Sequence, residues 1–485
     1  MDCRPNFAIS AALALLALLA LLALLALAPA LAADRPSQAS VEAGRARASY
    51  RAGDHFAALA QARVALALDP GDPVALRFEA QLVRDAEGPV AALPLFEKAL
   101  ARAPDDVELL GDYAATLGEA GRNRDMLGAV RRMTELRPDD RHAYFLQAVL
   151  SARAGDDVLA RRLLWRTAAA GNPTPAAMWL DAVIELRSGS PAQAVERLDA
   201  LVRRQPDNLA AQTLLGRALL ANGEGNEVIA RLQPLAEWGD ASPYLLTLVG
   251  RAYEELGRRA EAATYLDRAV QPLPTEVEAM PVGDGDGGGD PLDPPVAVRK
   301  LRELTGNGAM GEASVLAERL AQRYPGSADV VRVVGDVHLL AGRTAAALAS
   351  YRRAATIRTD ALLVQRMAAT ERALGNAPQV RALLAQRLRV NPRERASAVL
   401  LARLDAERGD WRAAVSVLTY TVQAGGQDPR LLADLAQAHL ALGDSKRALA
   451  AARAAHGLQR GNGSVAGILA RSLASAARAP ALATR

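Results

Sequence analysis

Glycine returns along this chain at one interval. Gly121, Gly155, Gly189, Gly223 and Gly257 are each 34 residues apart, and after an interruption the beat resumes at Gly308, Gly342, Gly375, Gly409 and Gly443 with a single 33-residue step. A single compact core imposes no such beat. A period of 34 residues belongs to a helix–turn–helix unit stacked on copies of itself, each copy burying the face its neighbour exposes. Placing this glycine at position 15, and counting Gly53 at the front, gives twelve repeats, eleven of them with Gly there. The exception is Glu87, which has Gly88 beside it.

Both flanks of the glycine read as amphipathic helices. Leu245–Tyr253 precedes Gly257 and Ala262–Val270 follows it, each with apolar residues at i, i+3, i+4 and i+7. Glycine between two such segments supplies the left-handed residue that ends the first helix without a Cβ clash. The second helix meets proline at position 32 in seven repeats: Pro70, Pro104, Pro138, Pro206, Pro274, Pro325 and Pro392. Proline there removes a donor and pushes the residue before it out of helical geometry. Asp or Asn beside it, as in Pro206-Asp207-Asn208, offers N-cap chemistry for the next repeat. Position 8 is Ala or Gly in eleven repeats and position 20 is Ala in nine, which lets paired helices approach closely.

With these residues in place the chain resembles the tetratricopeptide repeat (TPR) family, best matched by Gly250, Tyr253, Gly257, Ala262, Ala269 and Pro274. The resemblance covers about residues 39–460, although the family's position-4 Trp is absent from every repeat and repeats 3 and 4 carry Met126 and Thr167 where Ala is usual. It implies an all-α, right-handed solenoid of about twelve repeats. It also implies that positions 2, 5, 9 and 12–13 of each first helix line a concave groove that takes a protein or peptide segment. The carboxylate clamp of chaperone-binding members is not matched, since the corresponding residues in repeat 1 are Ala43 and Arg47.

Five arginines fall at position 9 of this inner face: Arg47, Arg217, Arg251, Arg302 and Arg403. Their bidentate forks suit carboxylates and other anions, and three of them sit in consecutive repeats 6 to 8. An aromatic set, Phe145 and Trp179 at position 5 with Tyr244 at position 2, is the second candidate contact, with buried packing as its alternative. Two partner classes follow: a protein or peptide segment, or an anionic polysaccharide.

The repeats do not fill the chain. Phe7 to Ala33 is uncharged and rich in Ala and Leu, follows Arg4, and ends in Ala28-Pro29-Ala30-Leu31-Ala32-Ala33. Residues 1–33 therefore read as a secretory signal cut near Ala32 or Ala33, or as an uncleaved anchor. Both place the repeats outside the cytoplasm, periplasmic or secreted, and suggest service in an envelope assembly such as exopolysaccharide synthesis or export. The one cysteine, Cys3, precedes the apolar run, so a cleaved chain holds no disulfide. A second break is 275–295, which carries six acids and no base and reads as a linker. It divides seven repeats (39–274) from five (296–460), and 464–479 reads as a capping helix.

Chemistry beyond binding finds little support. Asp284 to Asp290 resembles a calcium loop, but the third ligand position is Gly288 and the closing position is Pro295. Gly306-Asn307-Gly308-Ala309-Met310-Gly311 satisfies a dinucleotide fingerprint literally, but a helix precedes it where the fingerprint needs a strand. The five histidines are scattered without metal-ligand spacing. A net charge of +4 is too mild and dispersed for nucleic acid. The expectation is a non-enzymatic scaffold without cofactor or metal.

Overall fold

The structure is a computed structural model that describes residues 37–167, 173–238, 241–270, 292–425 and 428–482. The apolar N-terminal segment, Cys3, the Asp284–Asp290 stretch and most of the acidic linker lie outside the described residues. Among the described residues there are 25 helices and no strand. They form twelve antiparallel pairs and one final helix, Gly463–Leu482, so the fold is an all-α solenoid of helical repeats.

The glycine beat has a backbone cause. The eleven position-15 glycines have φ between 72° and 85°, and a Cβ added at any of them would meet nothing within 4 Å. They are there for the left-handed turn and not for space. The exception in repeat 2 is different. Gly88, one residue late, takes φ 107°, and a Cβ on it would lie 2.4 Å from Cγ1 of Val390. Ahead of the first helices of repeats 2 to 7, Asp72, Asp106, Asp140, Thr174, Asn208 and Ser242 each accept a backbone N–H of the first turn. This satisfies donors that a helix start leaves open.

In most pairs a small residue at position 8 of the first helix is the notch that receives a larger one at position 24 of the second, while repeats 1 and 12 set Ala against Ala. A Cβ on Gly216 would meet Leu232, on Gly250 would meet Leu266, and on Gly335 would come within 2.7 Å of the Tyr351 ring. Repeat 8 reverses the arrangement: Leu301 is the large residue and Ala317 the small one, both buried in one cluster. The sum of volumes is kept while the side that supplies it changes. Successive repeats are also tied by arginine. Arg153 and Arg187, both at position 13, donate to Gly118 O and Ala152 O at the end of the preceding first helix, each at 2.7 Å.

At the end of repeat 7 the stacking changes partner. The second helix of repeat 7, Arg259–Val270, packs against the final helix and against Pro429–Ala441, the first helix of repeat 12. Val270 shares a buried cluster with Ala398, Leu431, Val465 and Ile468. The apolar end that repeat 8 would cover in an unbroken solenoid is covered instead by the far end of the second array. The chain thus folds back on itself.

The contacts that hold it there follow a register. Most use the loop edge between one second-array repeat and the next, from position 30 to the first residue of the following helix. Gly326 O accepts from Phe56 N (3.2 Å), and beside it His55 Nδ1 accepts from Ala328 N (3.1 Å). Thr359 N donates to Asp85 O at 3.0 Å, and Val390 abuts Gly88. Gln459 Nε2 donates to Thr247 Oγ1 (2.8 Å), Arg251 to Leu458 O, and Asn462 Nδ2 to Leu266 O (2.6 Å). Two loop-edge glycines permit the approach. A Cβ on Gly326 would sit 1.9 Å from Asp54 Oδ1, and one on Gly461 would sit 2.0 Å from Glu254 Oε1.

Candidate partner groove

The inner face is built from positions 2, 5, 9 and 12–13 of the first helices, and its chemistry changes along the first array. At repeats 1 to 3 it is polar and self-paired. Arg77 holds Asp112 (2.6 Å) and Glu108 (2.9 Å), and Gln81 shares Asp112 at 2.7 Å. Arg47 lies beside this group, and its Nε and one Nη are buried without a hydrogen-bond partner. Burial, then the neighbouring Arg77 and Arg51, hold its pKa below the usual arginine value. Arg77 takes Glu108 and Asp112, which leaves Arg47 half-buried beside an ion-pair group that is already closed.

The other four position-9 arginines part company. Arg251 is tied to Leu458 O, the loop edge of repeat 12. Arg302 lays its guanidinium 4.0 Å above the Trp238 ring. Arg403 grips Asp434 through Nε (2.7 Å) and Nη2 (3.2 Å) and donates to Val270 O at 3.0 Å. That last bond caps the end of the repeat 7 helix with a cation, where the helix dipole favours one. Burial raises the Asp434 pKa even with Arg403 against it. Arg217 is exposed and makes no side-chain hydrogen bond or ion pair among the described residues. Because repeat 8 does not continue the stack, Arg217, Arg251 and Arg302 do not form one basic stripe.

Phe145 and Trp179 lie between the footholds of the second array, and Tyr244 stands on the helix that carries the repeat 7 foothold. Phe145 and Trp179 are half-buried, each packed against the core of its neighbourhood while keeping part of its ring in the groove. Tyr244 is 48% exposed, enough to leave a full ring edge for a ligand. With Val149 and Val183 at position 9, positions 5 and 9 of repeats 4 and 5 are apolar, Arg153 and Arg187 at position 13 are turned to backbone carbonyls, and Arg217 of repeat 6 stands at the edge. A further cleft of about 380 Å³ opens between repeats 11 and 12 beside Trp411, Leu418 and Gln437. Its charged groups are internally paired, Arg403 with Asp434 and Glu407 with Arg372.

No cluster of three or more His, Cys, Asp or Glu among the described residues could hold a metal ion. No described helix is long and apolar enough to cross a membrane. Sequence reasoning missed the fold-back contacts at His55, Gln459 and Asn462. Asn462 is wholly buried and Gln459 nearly so, yet both sit in a loop, where polar residues are expected to face water. A partial signal was glycine at position 33 in repeats 8 and 12, where no left-handed turn requires it, although repeat 1 carries Gly71 there against Arg102 of its own array.

Comparison with known proteins agrees with this architecture. Family models described as tetratricopeptide repeat match residues 185–252, 243–271, and 307–361 with 399–463. Among solved structures, a tetratricopeptide repeat protein from Parabacteroides merdae ATCC 43184 is 15% identical with a TM-score of 0.37, over 48% of this chain and 93% of that one. YrrB, a TPR protein with an unusual peptide-binding site, is 18% identical with a TM-score of 0.31, over 36% and 90%. The Cut9–Hcn1 hetero-tetramer of the APC/C is 13% identical with a TM-score of 0.30, over 88% and 95%. No curated protein matches the chain. The repeat phase, the helix pairs and the matching family models together show that the chain is built of tetratricopeptide repeats over residues 185–271, 307–361 and 399–463.

Proposed function

We propose that this protein is an exported, non-enzymatic scaffold that holds an extended or helical segment of a partner protein on the inner face of repeats 4 to 6. The observation that carries this reading is the unequal cover of the groove. The second array is seated on repeats 1, 2 and 7 and reaches Trp238 at the end of repeat 6, while Phe145, Trp179 and Arg217 lie along the stretch between, with exposed Tyr244 at its repeat 7 edge. A preformed curved face lowers the ordering cost of binding such a segment. Apolar residues with one arginine at the edge suit an apolar segment carrying an acid. Direct binding of an anionic polysaccharide is less well supported, since Arg251, Arg302 and Arg403 are engaged within the chain and Arg47 is half-buried.

Export and service in an envelope assembly, such as exopolysaccharide synthesis or export, rest on the Phe7–Ala33 segment and its small-residue ending. The test is affinity capture from an envelope fraction, comparing the native chain with Trp179→Ala combined with Arg217→Glu. The double variant should keep its helicity and lose the captured protein. Equal capture by the variant would remove repeats 4 to 6 as the site.

A further inference from the structure

The outer face of repeats 3 and 4 has a character that the groove does not explain. The second helix of repeat 4, Asp157–Thr167, turns Val158 and Trp165 outward, 72% and 82% exposed. Arg162 lies between them, and the spacing i, i+4, i+7 puts all three on one side of the helix. The same positions in repeat 3 are Arg124, Gly128 and Arg131, with exposed Leu127 beside them. Arg124, Arg131 and Arg162 are exposed and take part in no side-chain hydrogen bond or ion pair among the described residues. The acids nearby are already used. Asp125 is held by Arg122, Glu135 by Arg132 and Asp157 by Arg187. In repeat 5 the matching positions are Ala192, Glu196 and Asp199, which closes the basic patch on that side.

We propose that this outer face docks on an anionic lipid bilayer, with the three arginines on headgroup phosphates and Trp165 and Val158 in the interfacial layer. Charge complementarity selects the surface, because the unpaired charges of the patch are all cations. Shape selects a bilayer over a protein segment. Trp165 stands out from the face with no walls around the ring, so a flat, deformable layer meets it where a groove-bound peptide would not. An indole with an apolar body and one N–H donor is suited to the boundary between acyl chains and headgroups. The proposal is independent of the partner groove, which lies on the opposite, inner face.

The test uses the chain from Asp34 onward, so that the Phe7–Ala33 segment cannot insert while the whole repeat array is kept. Flotation is measured with phosphatidylcholine vesicles and with vesicles containing about 30% phosphatidylglycerol, at 0.1 M and 0.5 M NaCl. Binding is expected on the anionic vesicles only, and it should weaken at the higher salt, where charges are screened. Trp165→Ala should weaken it about tenfold. Joint Arg124→Glu, Arg131→Glu and Arg162→Glu should weaken it at least about a hundredfold, at about fivefold or more per arginine, with the circular dichroism unchanged. The charge-matched control Arg389→Glu, Arg412→Glu and Arg453→Glu should float like the native chain. Equal flotation on both vesicle types, or equal loss in the control, would overturn the proposal. So would absence of flotation together with Trp165-dependent retention of a protein, which would assign this face to a protein partner.

Discussion

The two arrays follow one 34-residue code and use different sides of it. In both, position 15 makes the turn, positions 8 and 24 face each other, and the residue ahead of the first helix caps it in most repeats, Asp293 and Glu394 being exceptions. The first array then meets its neighbour partly with its inner face, at Tyr50 beside Arg358 and at Asp85, Thr247 and Arg251, and partly at the turn and second helix, at His55, Phe56 and Leu266. The second array answers with its loop edge, at Gly326, Thr359, Val390 and Gln459. The positions that make a repeat are therefore not the ones that decide what it touches. Interlock residues are interchangeable between arrays as long as volume is kept, while the edge residues are particular to one contact.

The strongest test of this division removes an interlock. Tyr351 is fully buried, fills the Gly335 notch and donates to Asp336 at 2.7 Å. Tyr351→Ala should cost about 3–5 kcal/mol, read as a lower urea midpoint, with the loss centred on repeats 9 and 10. A loss spread evenly to repeats 3–6 would mean that the two arrays unfold as one unit and are not separable regions.

A smaller effect is expected at the clasp. Asn462→Ala strands Leu266 O, removes the cap on Val465 N (3.0 Å) and leaves Gln459 without its neighbour. The cost should be about 1–3 kcal/mol, seen as faster hydrogen exchange at both 247–270 and 458–466. Faster exchange at 458–466 alone would show that the first array does not depend on the second for its end cover.

The mildest test is a pH titration at the other foothold. His55 Nδ1 accepts from Ala328 N, so the contact needs the neutral ring. Burial lowers the His55 pKa; Asp54 and Asp329 oppose the shift, Arg358 adds to it, and the Tyr50 ring lies 4.9 Å away. A group whose native pKa is lowered contributes fully above its ordinary value near 6.5 and loses that contribution as pH falls through the native value. Exchange protection of the 326–330 segment should therefore be higher at pH 7.5 than at pH 5, and His55→Gln should flatten the difference. A pH difference that persists in His55→Gln would assign the effect to other groups.

Much of the fold was legible before any coordinates. Gly121 and its series carry positive φ, which leaves a mark because few other residues adopt it. Asp140 and Ser242 mark helix starts because unpaired backbone donors need an acceptor nearby. The candidate site was legible only as a set of addresses. Position 9 said that five arginines face inward, and it did not say that Asp434 would hold one, Trp238 another and Leu458 O a third. Those partners lie tens to hundreds of residues away, and no local periodicity encodes them.

The sequence by itself determined the repeat: its length, its turn, its interlock and its number. These rest on backbone conformation and on contacts within some 34 residues, which recur and so announce themselves by period. The tertiary structure decided which groove positions remain open and which face carries unpaired charge. That outcome depends on one long-range event, the seating of the second array's edge on the first. It is specified by single residues such as Gly461 and Asn462, whose space and hydrogen bonds exist only once the chain has folded back.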